Sequence, residues 1–341
     1  MTMKESDRLY LIDWLKVATL LAIQILHANE FVFFEDDFPI ASQSVIWTAM
    51  SYYARFFSLG GQVLVAIIYL LFGLSGKSSP SLLKIAGFAI IGQFLLTLAF
   101  FDGNYLSQIE WDIYFFIAAS NLILMLLPRS SWRLVALGFL ALLIPPSFYK
   151  SIMPDGFIGN ILTGRSEIAQ EGAWPLFPWF FLSLLFFNLG ALIRDGKLLL
   201  RQWNRTETFL WPILFGLTLP FLGHFYWTPI GPRYYEFNFH QLPHLFWTNF
   251  LPFVFIMRIS FLNSVKERLA RHKYSRIVGN LIWARQLGAA YIVAVLYVGF
   301  AGKFEEEFKQ TPYLFDLFFI SIMPVTELIV RMMMKIIPKK K

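Results

Sequence analysis

Polar positions along this chain are sparse and come in short clusters, separated by apolar stretches of membrane-crossing length. A helix needs about 20 predominantly apolar residues to cross the hydrocarbon core. Residues 56–76, 85–101, 113–128, 134–149, 172–193 and 208–232 carry no charged side chain. Four more stretches are nearly as apolar: 9–31 around Asp13 and Lys16, 243–262, 278–300 around Arg285, and 313–336 around Asp316 and Glu327. The pattern predicts an all-α polytopic membrane protein of about ten transmembrane helices. Pro145 and Pro146, Pro252 and Pro324 interrupt three of these stretches. The whole chain, residues 1–341, reads as a single integral-membrane domain with no separate soluble domain and no internal repeat.

Composition agrees with that pattern. Of the 341 residues, 57% are hydrophobic and 15% are charged, and the mean hydropathy is +0.57. A soluble domain carries about 25% charged residues, so an ordinary soluble enzyme, a disordered chain and a nucleic-acid binder are all excluded. Zero cysteines exclude a disulfide framework and thiolate chemistry.

The net charge of +7 gains its meaning from where the charges fall. With the N-terminus inside, alternate loops place Lys4 and Arg8, Lys77 and Lys84, Arg129 and Arg133, and Arg194, Lys197, Arg201 and Arg205 in the cytoplasm. The run from Arg258 to Arg276 and the tail from Arg331 to Lys341 join them. The outer side receives only Arg55, Lys150, Arg165, Arg233, Lys303 and Lys309. That asymmetry follows the positive-inside rule and predicts both termini in the cytoplasm. The basic run Lys266 to Arg276 reads as a topology and anionic-lipid determinant. The acids, among them Glu30, Glu110, Asp112 and Glu236, gather on the outer side. Residues 17–26 resemble the apolar core of a signal peptide, but His27-Ala28-Asn29-Glu30 offers no small-x-small cleavage site. The segment therefore reads as a retained first helix.

Ionisable residues at membrane depth are costly and mark candidate functional positions. The first helix holds the densest group. Lys16 and His27 are eleven residues apart, which puts them on one helical face about 16 Å apart. Asp13 lies three residues before Lys16 and Glu30 three after His27, so both join that stripe. One structural account pairs Asp13 with Lys16 at the inner interface and leaves His27 without a duty. The other makes the stripe a site, with a cation inside and a titratable base outside.

The segment Arg8-Leu-Tyr-Leu-Ile-Asp13-Trp-Leu-Lys16, followed by ten residues and His27, resembles the opening signature of the membrane acyltransferases. These are the acyltransferase-3 family and the related heparan-α-glucosaminide N-acetyltransferase-like proteins. Phe72-Gly73-Leu-Ser75-Gly76, Trp111-Asp112 and Leu176-Phe-Pro178-Trp179 leading to Leu189-Gly190 are further echoes. Lys77 and Lys84 stand where many members carry paired arginines. The resemblance implies transfer of an acyl group, acetyl first among the choices, from cytoplasmic acyl-CoA to a hydroxyl of an extracytoplasmic glycan or glycolipid. It further implies a multi-pass protein of a bacterial cytoplasmic (inner) membrane.

On that reading Lys16, Asp13, Arg285, Lys77 and Lys84 serve the anionic donor, and His27 with Glu30 activates the acceptor hydroxyl. Direct transfer and an acyl-histidine intermediate both fit. Arg285 and Glu327 lie at similar depth in the last two stretches. They are read either as an ion pair between helices or as a CoA-phosphate ligand balanced by a carboxylate. The outer segment 223–247 holds His224, Tyr226, Trp227, Arg233, Glu236, His240 and His244. It reads either as an interfacial aromatic belt or as a platform for sugar rings. Arg55, Asp112 and Trp179 are assigned to the same acceptor side, near Glu110 and Trp174. His240 and His244 are spaced i, i+4, but Pro243 lies between them and no HExxH pattern accompanies them, so no metal is expected. A proton-coupled transporter or flippase of a polar solute or lipid-linked glycan is the alternative function.

Overall fold

The structure is a computed structural model that describes residues 8–32, 53, 60–100, 113–144, 146–152, 159, 161–162, 176–227, 243–304, 307–308 and 311–336. Every regular element among these residues is a helix. In chain order they are α1 (Tyr10–Val32), α2 (Gly60–Leu74), α3 (Ser79–Phe100), α4 (Ile113–Leu126), α5 (Trp132–Leu142), α6 (Pro146–Ile152) and α7 (Leu176–Arg194). There follow α8 (Arg205–Trp227), α9 (Pro243–Ile259), α10 (Asn263–Arg271), α11 (Lys273–Asn280), α12 (Ile282–Arg285), α13 (Leu287–Ala301) and α14 (Pro312–Ile336).

Each apolar stretch of the sequence carries a helix, but three are interrupted: α7 has an extended residue at Phe177 (φ −112°, ψ 133°) just inside its start, and two other stretches are divided. The stretch 134–149 divides into α5 and α6 at the Pro145-Pro146 pair, with Pro146 at the first position of α6, where its missing N–H costs nothing. The stretch 278–300 is broken twice, at Leu281 and at Gln286, where ψ moves to 146° and 54°. Among the described residues four helices are long and apolar enough to cross a membrane: Ser79–Thr97, Leu176–Arg194, Leu287–Phe304 and Asp316–Lys335. The apolar helices Gly61–Leu74, Ile113–Leu126 and Trp132–Leu142 are shorter.

The distribution of side chains is that of a protein solvated by hydrocarbon. On α3, Leu83, Phe88, Ile91 and Leu95 face outward, while Gln93 and Thr97 are buried. On α14, Leu317, Ile320 and Leu328 are exposed and Thr326 is buried. Water would penalise these exposed apolar faces. A bilayer accepts them and drives polar groups inward.

Two compact units emerge, one of residues 1–61 with 256–341 and the other of residues 62–255. In the first, α1 packs on α11, α12 and α13, and α13 packs on α14. In the second, α7 packs on α5 and α4, and α3 on α4. The edge of Trp211 on α8 meets Phe255 of α9 at 5.0 Å between ring centroids. The helices α2 and α7 end alike. Gly76 and Gly196 take positive φ of 65° and 70°. The following amides reach back, Lys77 N–H to the Phe72 carbonyl and Lys197 N–H to the Leu192 carbonyl. Both are Schellman closures, for which glycine is the residue of choice.

The crossing of α2 and α7 depends on two other glycines. A Cβ on Gly73 would lie 2.1 Å from the Phe187 carbonyl oxygen, and one on Gly190 would lie 2.2 Å from that of Leu70. Backbones in such contact leave no room for a methyl group. Gly73→Ala and Gly190→Ala should therefore each destabilise the protein by about 1–3 kcal/mol, the range for overpacking. Gly87→Ala, with nothing within 4 Å of the new Cβ, should be neutral or mildly stabilising. Thermal unfolding of the purified protein in detergent measures all three, and equal behaviour would refute the close crossing.

Candidate functional site

The charged group on α1 is assembled within the first unit. Asp13 Oδ2 accepts from Arg8 Nε at 2.7 Å, and Asp13 Oδ1 pairs with Lys16 Nζ at 2.7 Å. Both Asp13 and Lys16 are buried. One carboxylate thus serves two cations, as burial requires: an unpaired charge in a low-dielectric interior is far more costly than a paired one. Lys16 also donates to the Ala284 carbonyl at 2.5 Å, which uses a second of its three donors. The Trp14 indole N–H reaches Ser275 Oγ at 3.4 Å.

Those acceptors belong to the broken stretch α11–α12–α13. A helix that stops leaves its last carbonyls and the next helix's first amides without intrahelical partners. Here some of the released groups turn to backbone and four are met by ionised side chains. The Gly279 carbonyl accepts from Arg8 Nη2 and, at 3.2 Å, from Arg285 Nε. The Asn280 carbonyl accepts from Arg331 Nη2 at 3.2 Å, and the Ala284 carbonyl from Lys16. The Ile282 amide, which opens α12, donates to both Glu327 oxygens at 3.0 and 2.8 Å. Cations therefore sit at the C-terminal carbonyls and a carboxylate at an N-terminal amide, each in the sense the helix dipole favours.

In this arrangement Arg285 and Glu327 have different partners. Glu327 pairs with Arg331 on its own helix, at 2.8 Å from Nε and 2.5 Å from Nη2. Arg285 turns instead to Gly279 and to the Asn280 side chain. The break at Gln286 separates Arg285 from the helix α13 on which the sequence had placed it, so the expected pair does not form.

Nearer the C-terminal end of α1, His27 Nε2 and the Tyr291 hydroxyl of α13 lie within a hydrogen bond at 3.1 Å. Their rings meet edge-on, with centroids 6.0 Å apart. The Tyr53 hydroxyl donates to the Ala18 carbonyl at 2.6 Å. Between Lys16 and His27 two polar side chains are wholly buried. Thr19 closes on its own helix, donating to the Leu15 carbonyl at 2.7 Å. Gln24 has no hydrogen-bond partner at either end of its carboxamide.

No family model, curated protein or solved structure matches the chain. The site therefore rests on its own geometry. The structure brings Asp13, Lys16, Arg285 and His27 together in one unit. Lys77 and Lys84 belong to the other unit, Lys84 exposed and Lys77 half-buried, with the Lys77 carbonyl accepting from Arg129 at 2.8 Å. Trp179 is buried on α7 of that unit. Glu30 continues α1, but its side chain lies outside the described residues, as do Arg55, Asp112, Arg233, Glu236 and His240 altogether. Among the described residues no group of acidic, His or Cys side chains is arranged to hold a metal.

Sequence reasoning gave no site role to Tyr291, Arg331 or Gln24. Arg331 was legible as the i+4 partner of Glu327. Gln24 was legible as the lone carboxamide in an uncharged helix core. Tyr291 carried no signal, because a tyrosine in an apolar helix is ordinary.

Asp13→Ala should cost about 3–5 kcal/mol, because it strands the buried Lys16 and removes the partner of the half-buried Arg8. Adding Lys16→Met should recover part of that loss by removing the stranded cation. Thermal unfolding of the single and double variants checks both. A double variant no more stable than Asp13→Ala would show that Asp13 does not act through Lys16.

Proposed function

We propose that the chain is a membrane acyltransferase that moves an acyl group, most simply acetyl, from cytoplasmic acyl-CoA to a hydroxyl of an extracytoplasmic glycan or glycolipid. The observation that carries this reading is the single stripe of α1 with Lys16 fixed at one end and His27, joined to Tyr291, at the other. A cation for an anionic donor and a neutral-range base lie about 16 Å apart along one helix, on the spacing by which this segment resembles the acyltransferase-3 signature. The proposal includes about ten spans in a bacterial cytoplasmic membrane, with both termini in the cytoplasm.

Chemically, His27 takes the proton of the acceptor hydroxyl as that oxygen attacks the thioester carbonyl. The carbon–sulfur bond then breaks and CoA leaves as its thiolate, which takes up the proton. Tyr291 holds the imidazole in one orientation, and Glu30, one turn on, is assigned to raise its basicity. Lys16, with Asp13 setting its position, serves the donor's phosphates. Arg285, Arg8 and Arg331 lie in the same cluster, and Lys77 and Lys84 add positive charge on the cytoplasmic side. Arg55, Asp112, Trp179, Arg233, Glu236 and His240 are assigned to the acceptor.

The test is transfer of labelled acetyl from acetyl-CoA to membrane glycans of cells carrying the protein. His27→Ala should lower transfer by about 100-fold or more, the range for losing a general base, while leaving thermal unfolding near the parent value. Transfer that persists in His27→Ala refutes the catalytic assignment. Solute uptake by proteoliposomes without any acyl-CoA would favour the transporter reading instead.

A further inference from the structure

Gln24 is the exception among the described polar side chains of α1. It is fully buried, and neither its amide nitrogen nor its amide oxygen has a partner. Thr19, equally buried, meets its need within the helix. An unpaired carboxamide in an apolar interior is costly, and it offers one acceptor and two donors with nowhere to go. Its position on the helix is specific. Gln24 lies three residues before His27, about 4.5 Å along the axis, and eight residues after Lys16, about 12 Å along it. At about 100° per residue it falls within a quarter-turn of both.

Those intervals match the donor that the acyltransferase reading requires. In acyl-CoA the pantetheine arm runs from a phosphate to the thioester sulfur through a chain of single bonds and two secondary amides. An extended chain advances about 1.2 Å per bond, so the roughly 13 bonds between phosphorus and sulfur cover about 16 Å. The amide on the cysteamine side begins about three bonds from sulfur and lies about 4–5 Å from it on the same scale. With the phosphate at Lys16 and the thioester at His27, that amide comes level with Gln24. A trans secondary amide presents its N–H and its C=O on opposite edges, so the Gln24 carboxamide oxygen can accept from the N–H of an arm passing on its side.

We infer that Gln24 is a specificity-determining residue that binds the cysteamine-side amide of the donor's pantetheine arm, an inference that rests on the acyl-CoA reading above. It selects pantetheine thioesters over acyl donors that lack the amide, and it fixes how far the arm extends toward His27.

The experiment is equilibrium binding of two donors to the full chain in lipid nanodiscs: acetyl-CoA, and an analogue whose cysteamine-side amide is replaced by an ester. The ester removes the N–H that would meet the Gln24 oxygen. The parent protein should bind the analogue about tenfold more weakly, the loss expected for one buried hydrogen bond. Gln24→Leu should bind acetyl-CoA about tenfold more weakly and should no longer distinguish the two donors. Equal affinity of the parent protein for both donors overturns the inference while leaving the acyl-CoA reading intact. A folded parent protein that binds neither donor overturns the acyl-CoA reading, and the inference with it. The donor comparison on the parent protein needs no substitution, so it stands even if Gln24→Leu fails to fold.

Discussion

The first unit depends on one requirement: backbone groups released where a helix breaks must find partners. The breaks at Leu281 and Gln286 release carbonyls at Gly279, Asn280 and Ala284 and an amide at Ile282. Arg8, Arg285, Arg331, Lys16 and Glu327 meet them. Two of these side chains come from the segment leading into and through α1, and two from α14. The broken stretch is thus stitched to both neighbours through charge-assisted bonds, which are shorter and stronger than neutral ones. This explains why so polar a cluster persists in so apolar a chain. The breaks and the charges require one another.

The same stitching limits what the cations can do. Lys16 is shared between Asp13 and the Ala284 carbonyl, so its attraction for a phosphate is weaker than that of a free ammonium. The anion-attracting power belongs to the cluster, in which Arg8, Lys16, Arg285 and Arg331 outweigh Asp13 and Glu327. A ligand that entered here would compete with structural bonds one at a time rather than meet a vacant charge. His27 stands apart from this cluster. Its ring nitrogen Nε2 lies 3.1 Å from the Tyr291 hydroxyl.

Much of the architecture was legible in the sequence. Charge-free stretches became helices because an apolar run without Pro or Gly clusters has no better way to satisfy its backbone in lipid. The α1 stripe was legible for the same reason, since helical periodicity fixes which residues share a face. The breaks at Leu281 and Gln286 were not. Neither is a proline or glycine, and both lie in a stretch whose hydropathy resembles that of its neighbours. Charges on other segments meet the groups these breaks release, and that tertiary contribution leaves no mark in local hydropathy. The partner expected for Arg285 failed for that reason: depth counted along a continuous helix loses its meaning across a break. Gln24 was visible but mute, because only the fold shows that nothing around it answers its carboxamide.

The two units also divide the polar residues between them by kind. Among the described residues, the buried charged side chains are Asp13, Lys16 and Arg258, all in the first unit. The buried polar side chains of the second unit, such as Gln93, Ser120, Asn121, Ser183 and Asn188, are uncharged. An uncharged polar group costs far less to bury than an ion and can tie helices together without a counter-charge. The second unit accordingly relies on the close contact at Gly73 and Gly190 and on aromatic edges such as Trp211 against Phe255. Chemistry that moves a proton or holds an anion needs groups able to carry charge at depth, and α1 with its partners supplies them. The buried carboxamide of Gln24 belongs to that helix, which is why its lack of a partner bears on function.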